Sequence, residues 1–176
     1  MNMYDTYIFD LDGTLLSTLN DLAASCNYAL ENNGMPKRSI DEVRQFVGNG
    51  VKKLMERAIP DGLSNPLFDK TYQDFRQHYM KHNLDTTCPY DGVMDMLQEL
   101  HRRGKKVAVV SNKFYAATQD LCRHFFGEER SIPIPGFTSM ANTTPNAAEK
   151  IVNPIIHLNV WNPIFPTSRP SPPPTA

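Results

Sequence analysis

Residues 7–16, Tyr-Ile-Phe-Asp-Leu-Asp-Gly-Thr-Leu-Leu, constrain this chain more than any other segment, because an apolar strand runs directly into two carboxylates and a glycine turn. In an extended or tightly turned backbone, Asp10 and Asp12 project near one another, close enough to share a hard cation with a phosphate. An acidic turn capping a first helix would account for Asp12-Gly13, since Asp-Gly marks turns in many folds. It would not account for the strand before the turn or the leucine pair after it. The full pattern suits phosphoryl chemistry with a magnesium ion, in which one carboxylate attacks and the other handles protons.

At 176 residues the chain can hold one sizeable core, or a core plus a small insert. Its net charge of −1 comes without a dense Lys/Arg run, so neither nucleic acid nor an anionic membrane is an expected partner. Cys26, Cys88 and Cys122 form an odd, widely spaced set with no Cys-x-x-Cys pair. That argues against a disulfide framework or a zinc site, and it assigns the three to packing in a reducing compartment. The first nine residues lack the basic start and apolar run of a secretory signal, and no stretch approaches the roughly 20 apolar residues of a membrane span. The expected location is the cytoplasm.

Apolar spacing then organises the chain. Ser17 or Thr18 can cap a helix carrying Leu19, Leu22, Cys26, Ala29 and Leu30, which Asn33-Gly34 stops. A second helix is expected after Gly48-Asn49-Gly50, with Val51, Leu54, Met55 and Ala58 on one side and Pro60-Asp61-Gly62 ending it. A third runs from about Pro66 to Lys81 through Phe68, Tyr72, Phe75 and Tyr79. Three helices without an intervening strand depart from a strand-helix repeat and read as an inserted helical domain.

After Cys88 the repeat resumes. Asp91 can cap a helix through Val93, Met94, Leu97 and Leu100, closed by Arg102-Arg103 and Gly104. Residues 105–110 are then a short apolar run of the kind buried on both faces of a parallel sheet. Ser111-Asn112-Lys113 follows at once, and Phe114 to Phe126 reads as another amphipathic helix. Asp10 and Ser111 thus fall beyond the carboxyl ends of their strands, where open α/β sheets bind ligands. The fold class is α/β, with a partial doubly wound, Rossmann-like parallel sheet and a small helical insert. The expected boundaries are 1–16 and 84–130 for the core, 17–83 for the insert and 131–176 for an atypical tail.

That tail holds ten of the 14 prolines, and Glu149, Lys150 and Arg169 are its only charged residues. Such a composition favours extended, poorly ordered backbone, with one short strand expected between Pro154 and Pro163.

Strand, Asp-x-Asp, Gly-Thr and leucine pair together resemble the first signature of the haloacid dehalogenase superfamily at every position. Val109-Val110-Ser111-Asn112-Lys113 resembles its second signature in the form found in phosphoglycolate-phosphatase-like members. The segments 44–50, Arg-Gln-Phe-Val-Gly-Asn-Gly, and 89–93, Pro-Tyr-Asp-Gly-Val, resemble the wording of that group's small helical cap. The resemblance covers residues 4 to about 127 and implies a phosphomonoester hydrolase acting through an aspartyl-phosphate. It makes Asp10 the nucleophile, Asp12 the acid and base, and Ser111 with the Asn112 N–H the phosphate ligands. Mg2+ is the implied cofactor, held by the Asp10 carboxylate and the Asp12 carbonyl, and the implied partner is a small phosphorylated metabolite.

The family's third-signature lysine and fourth-signature acidic cluster have no clear counterpart here. Lys150 and Glu149 stand outside those settings and are read as a solvated pair. Impaired activity is therefore expected, and an inactive remnant with residual phosphate or magnesium binding is the alternative, with a sugar-phosphate mutase a third reading. Ser17 also stands where many relatives carry Asp. The abrupt change at the tail fits either a frame-shifted reading frame or a divergent natural end.

Overall fold

The computed structural model describes residues 4–127 together with the backbone of residues 138–141. The strand expected between Pro154 and Pro163, and the residues Glu149 and Lys150, lie outside that range. Three strands form a parallel sheet in the order β1-β4-β5: β1 is Thr6–Phe9, β4 is Lys106–Ser111 and β5 is Thr138–Ala141. Thr6 pairs with Lys106 and Phe9 with Val109, and the Lys106 N–H donates to the Asp5 carbonyl at 2.9 Å to open the ladder. β5 falls in the segment expected to be a poorly ordered tail, and its pairing of Ala108 with Thr138 through Ser111 with Ala141 corrects that reading for four residues. A short Thr-Ser-Met-Ala run carries too little periodicity to announce a strand; an exposed ladder edge on β4 supplies the reason it forms.

Helices α5 (Val93–Arg102) and α6 (Tyr115–Phe126) pack with the sheet through Leu97, Val107, Val109, Leu121, Phe125 and Phe126, joined by Leu11, Leu15 and Leu16. Burial along β4 alternates, with Val107 and Val109 enclosed and Ala108 and Val110 only half-buried. The apolar run therefore has one well-covered face among the described residues, where covering on both was expected. Asp91 does not cap α5: Gly92 occupies the N-cap position, and its carbonyl accepts the Met96 N–H at 3.0 Å.

The insert holds four helices, α1 (Leu19–Asn32), α2 (Ile40–Phe46), α3 (Val51–Ala58) and α4 (Phe68–His82). The expected count of three missed α2. Its signal was the Ser-x-x-Glu of a capping box, and Ser39 and Glu42 do cap one another reciprocally. α1 ends as Asn33-Gly34 implied, with the Gly34 N–H on the Glu31 carbonyl and the Met35 N–H on the Leu30 carbonyl, a Schellman stop that folds Met35 back onto the core. Leu22, Cys26, Leu30, Val43, Leu54, Met55, Phe75 and Tyr79 form a second apolar cluster, separate from that of the sheet.

Two chain segments join insert and sheet, and the sequence did not disclose how they are fastened. β2 (Leu16–Ser17) pairs antiparallel with β3 (Cys88–Pro89), so the outgoing and returning segments run side by side. Just beyond, the Asp21 carboxylate accepts the N–H groups of Thr86 and Thr87 at 3.0 and 2.9 Å and both of their hydroxyls at 2.5 and 2.7 Å. Burial alone would raise the Asp21 carboxyl, but these donors outweigh it and hold the group below its ordinary value of 3.8. A depressed folded value means that the carboxylate's stabilisation is present above the unfolded value and is lost as pH falls through the folded one. Asp21→Asn should thus lower stability at pH 7 by about 2 kcal/mol, and denaturant titrations should show the gap between the two proteins closing as the pH falls below 4.

Burial pushes the Cys26 and Cys122 thiols up to about 12, whereas Cys88 is exposed on β3. Thiolate is the reactive form. A thiol reagent at pH 8 should therefore label one cysteine in the native protein and all three in denaturant, as counted by mass spectrometry.

Candidate active site

The loop after β1 is wound tightly around one carbonyl. The Leu11 carbonyl accepts the N–H groups of Leu15 at 3.1 Å and Leu16 at 3.0 Å, while the Gly13 N–H donates to the Leu16 carbonyl at 2.8 Å. Gly13 has φ +74 with nothing near where a Cβ would stand, so glycine is required there by backbone conformation and not by space. Leu11 is fully buried between the two carboxylates, which turns Asp10 and Asp12 toward the same cleft.

That cleft, about 410 Å³ and open to solvent, brings together all four residues singled out from the sequence: Asp10, Asp12, Ser111 and Asn112. Asp10 follows β1 directly and takes the Leu11 N–H on Oδ1 at 2.7 Å. Desolvation raises its carboxyl above the ordinary value, the Leu11 N–H works against this, and the neighbouring Asp12 charge adds to the rise. Two carboxylates crowded in this way favour a cation or an electrophile between them. Ser111 ends β4, is buried, and takes the Lys113 N–H on Oγ at 3.2 Å. It does not cap the next helix, whose N-cap is Phe114.

Lys113 is the residue whose place the sequence did not reveal. Its side chain is 0% exposed, and Nζ donates to Asp12 Oδ1 at 2.8 Å. Burial alone would lower the ammonium's pKa, but Asp12 and Tyr79 outweigh it and the net shift is upward. Thr18, offered as a helix cap, sits at the N-cap of α1 but spends its hydroxyl on the same Asp12 Oδ1 at 2.7 Å. The Ser-Asn-Lys order contained the lysine; nothing local to it signalled a carboxylate 101 residues away.

The insert closes the cleft. Leu22, Val47, Val51 and Leu54 line it from that side, and the Asn112 Nδ2 donates to the Gly48 carbonyl at 3.1 Å. Gly50 comes so close that a Cβ would meet the Asn112 carbonyl at 3.1 Å, and its φ of +84 disfavours any other residue. Arg57 secures this loop through the Phe46 carbonyl at 2.8 Å and Asn49 Oδ1 at 2.9 Å. The cleft has a polar floor from the two strand ends and a mainly apolar wall from the insert. No three His, Cys, Asp or Glu side chains gather to hold a metal among the described residues. Among them, too, no helix is long and apolar enough to cross a membrane.

Comparison with known proteins bears on the family of the chain. The family model for haloacid dehalogenase-like hydrolases matches residues 7–147. The chain is 34% identical over 124 residues to a phosphoglycolate phosphatase of Cereibacter sphaeroides, covering 67% of this chain and 56% of that one. It is 32% identical over 143 residues to one of Aquifex aeolicus, covering 73% and 65% respectively. The chain therefore spans between half and two thirds of the length of these relatives. Among solved structures, a predicted phosphoglycolate phosphatase from Haemophilus somnus superposes with a TM-score of 0.72 at 28% identity, covering 81% of this chain and 64% of that one. A predicted phosphatase from Clostridium acetobutylicum shares the fold with a TM-score of 0.70 at 17% identity, covering 89% and 70%. The family model, the relatives and the structural likeness agree, and the chain belongs to the haloacid dehalogenase-like hydrolases.

Proposed function

We propose that the chain is a magnesium-dependent phosphomonoesterase of the phosphoglycolate phosphatase type, acting on a small phosphorylated metabolite in the cytoplasm. One observation carries the reading: Asp10, Asp12, Ser111 and Asn112, from two strand ends paired in parallel, line a single cleft. The relatives' names support the substrate class. Residues 17–83 serve as the cap over this cleft, and residues 1–16 with 84–130 as the hydrolase core.

Asp10 Oδ2 attacks phosphorus while the bond to the leaving oxygen breaks opposite it, forming an aspartyl-phosphate. Asp12 gives a proton to the leaving oxygen, then takes one from the water that opens the intermediate. The Ser111 hydroxyl and the Asn112 N–H hold phosphate oxygens, aided by the amino end of α6. Oxygen donors on Asp10 and the Asp12 carbonyl suit Mg2+, which is commonly held by one or two carboxylates together with substrate phosphate and water. When bound, that ion supplies charge neutralisation between phosphate and nucleophile. The apolar wall of Leu22, Val47, Val51 and Leu54 lies across the cleft from the strand ends, where it would contact the leaving-group side of a substrate.

Turnover by the chain as it stands is expected to be low, since Lys150 and Glu149 do not match the family's last two signatures. Purified protein should nevertheless release phosphate from 2-phosphoglycolate only with Mg2+, and Asp10→Asn should abolish that release. Turnover by Asp10→Asn at the parental rate would remove Asp10 as nucleophile. Asp12→Ala should lose roughly 10²-fold or more on alkyl phosphates and much less on an activated aryl phosphate, whose leaving group needs little protonation. Equal losses on both would contradict the acid role. Phosphate binding without any turnover would instead favour the inactive remnant.

A further inference from the structure

We propose that Tyr79 and Lys113 act as a positioning relay that ties the helical insert to the acid–base carboxylate, resting on the reading of Asp12 given above. Lys113 Nζ is held between two elements. On one side it donates to Asp12 Oδ1 at 2.8 Å; on the other it lies 4.6 Å from the centroid of the Tyr79 ring, on α4 of the insert. An ammonium has three donors and no acceptor, so a wholly enclosed one needs further partners, and the electron-rich face of an aromatic ring is one.

Tyr79 is itself fixed. It is fully buried, its ring lies parallel to that of Phe75 at 5.7 Å, and the Phe114 ring meets it edge-on at 6.1 Å. The Tyr79 hydroxyl makes no hydrogen bond of ordinary geometry among the described residues, yet it lies near enough to Lys113 to favour the ammonium, so Tyr79→Phe is the variant that separates the ring contact from the hydroxyl. Thr18 Oγ1, at the junction of insert and core, donates to the same Asp12 Oδ1 at 2.7 Å. Both donors thus saturate one oxygen of Asp12 and leave Oδ2 to face substrate. An insert displaced from the strand ends would carry Tyr79 with it, release Lys113 and free the Asp12 carboxylate to rotate. Acid–base competence is in this way conditional on a seated insert.

The test uses the full chain with 13C-labelled aspartate carboxyls, the Asp12 signal being assigned by its loss in Asp12→Asn. Lys113→Met and Tyr79→Leu should each move the Asp12 signal, whereas Tyr79→Phe, which keeps the ring, should leave it in place. In turnover, Tyr79→Leu should lower kcat on an alkyl phosphate by roughly 10-fold or more, with KM and the rate on an activated aryl phosphate little changed; Tyr79→Phe should restore the parental kcat. An unmoved Asp12 signal in folded Tyr79→Leu, or equal kinetic losses on both substrates, would overturn the relay. Should Tyr79→Leu fail to fold, the Lys113 ε-methylene protons of the parent decide, since the ring face must shift them upfield, and ordinary positions would overturn it. A chain without turnover leaves both NMR readouts intact, so failure of the phosphatase reading is distinguishable from failure of the relay.

Discussion

The parallel pairing of β1 with β4 is the constraint on which the rest of this structure depends. It sets Phe9 beside Val109, so that Asp10, just past the end of β1, and Ser111, the last residue of β4, come to the same end of the sheet with their loops. Neither loop alone could assemble the cleft. Because the strands are parallel, their connection must cross back over the sheet, and here it is long enough to contain the whole helical insert together with α5. The topology that creates the site therefore also delivers the element that covers it.

How the insert is fastened follows from the same geometry. Two passages of chain must leave and re-enter the core close together, and β2 with β3 pair them while Asp21 gathers the Thr86 and Thr87 donors. The insert's apolar cluster reaches across to Phe114 and Ala117 of the core, and polar and aromatic contacts join it to the strand ends as well: Asn112 on Gly48, and Lys113 against Tyr79.

Much of this was legible in the sequence, because the relevant signals are local. The strand-to-carboxylate run at Phe9-Asp10, the Asn33-Gly34 stop and the helical spacing of Phe68, Tyr72, Phe75 and Tyr79 each specify structure within a few residues. α2 was also locally encoded, in the Ser39–Glu42 pair, and its short length hid it. What sequence could not supply were interactions between distant positions. Lys113 looks like an ordinary lysine after a strand until the fold sets it against Asp12, and Asp21 looks like a solvated first-turn acid until Thr86 and Thr87 arrive. β5 formed in a stretch whose proline content pointed away from a sheet, since the edge of β4 offered hydrogen bonds that composition does not express.

The central claim is that two strand ends make one phosphoryl-transfer site with Asp10 at its centre. The most direct measurement is to mix the protein with Mg2+ and a phosphomonoester, quench in acid, and locate any transferred phosphoryl group by peptide mass spectrometry. The account predicts an acid-stable, base-labile phosphoryl group on the peptide containing residues 7–16, assigned to Asp10. Phosphate on Ser111 or any other side chain, or turnover that leaves no trapped group on Asp10, would contradict it.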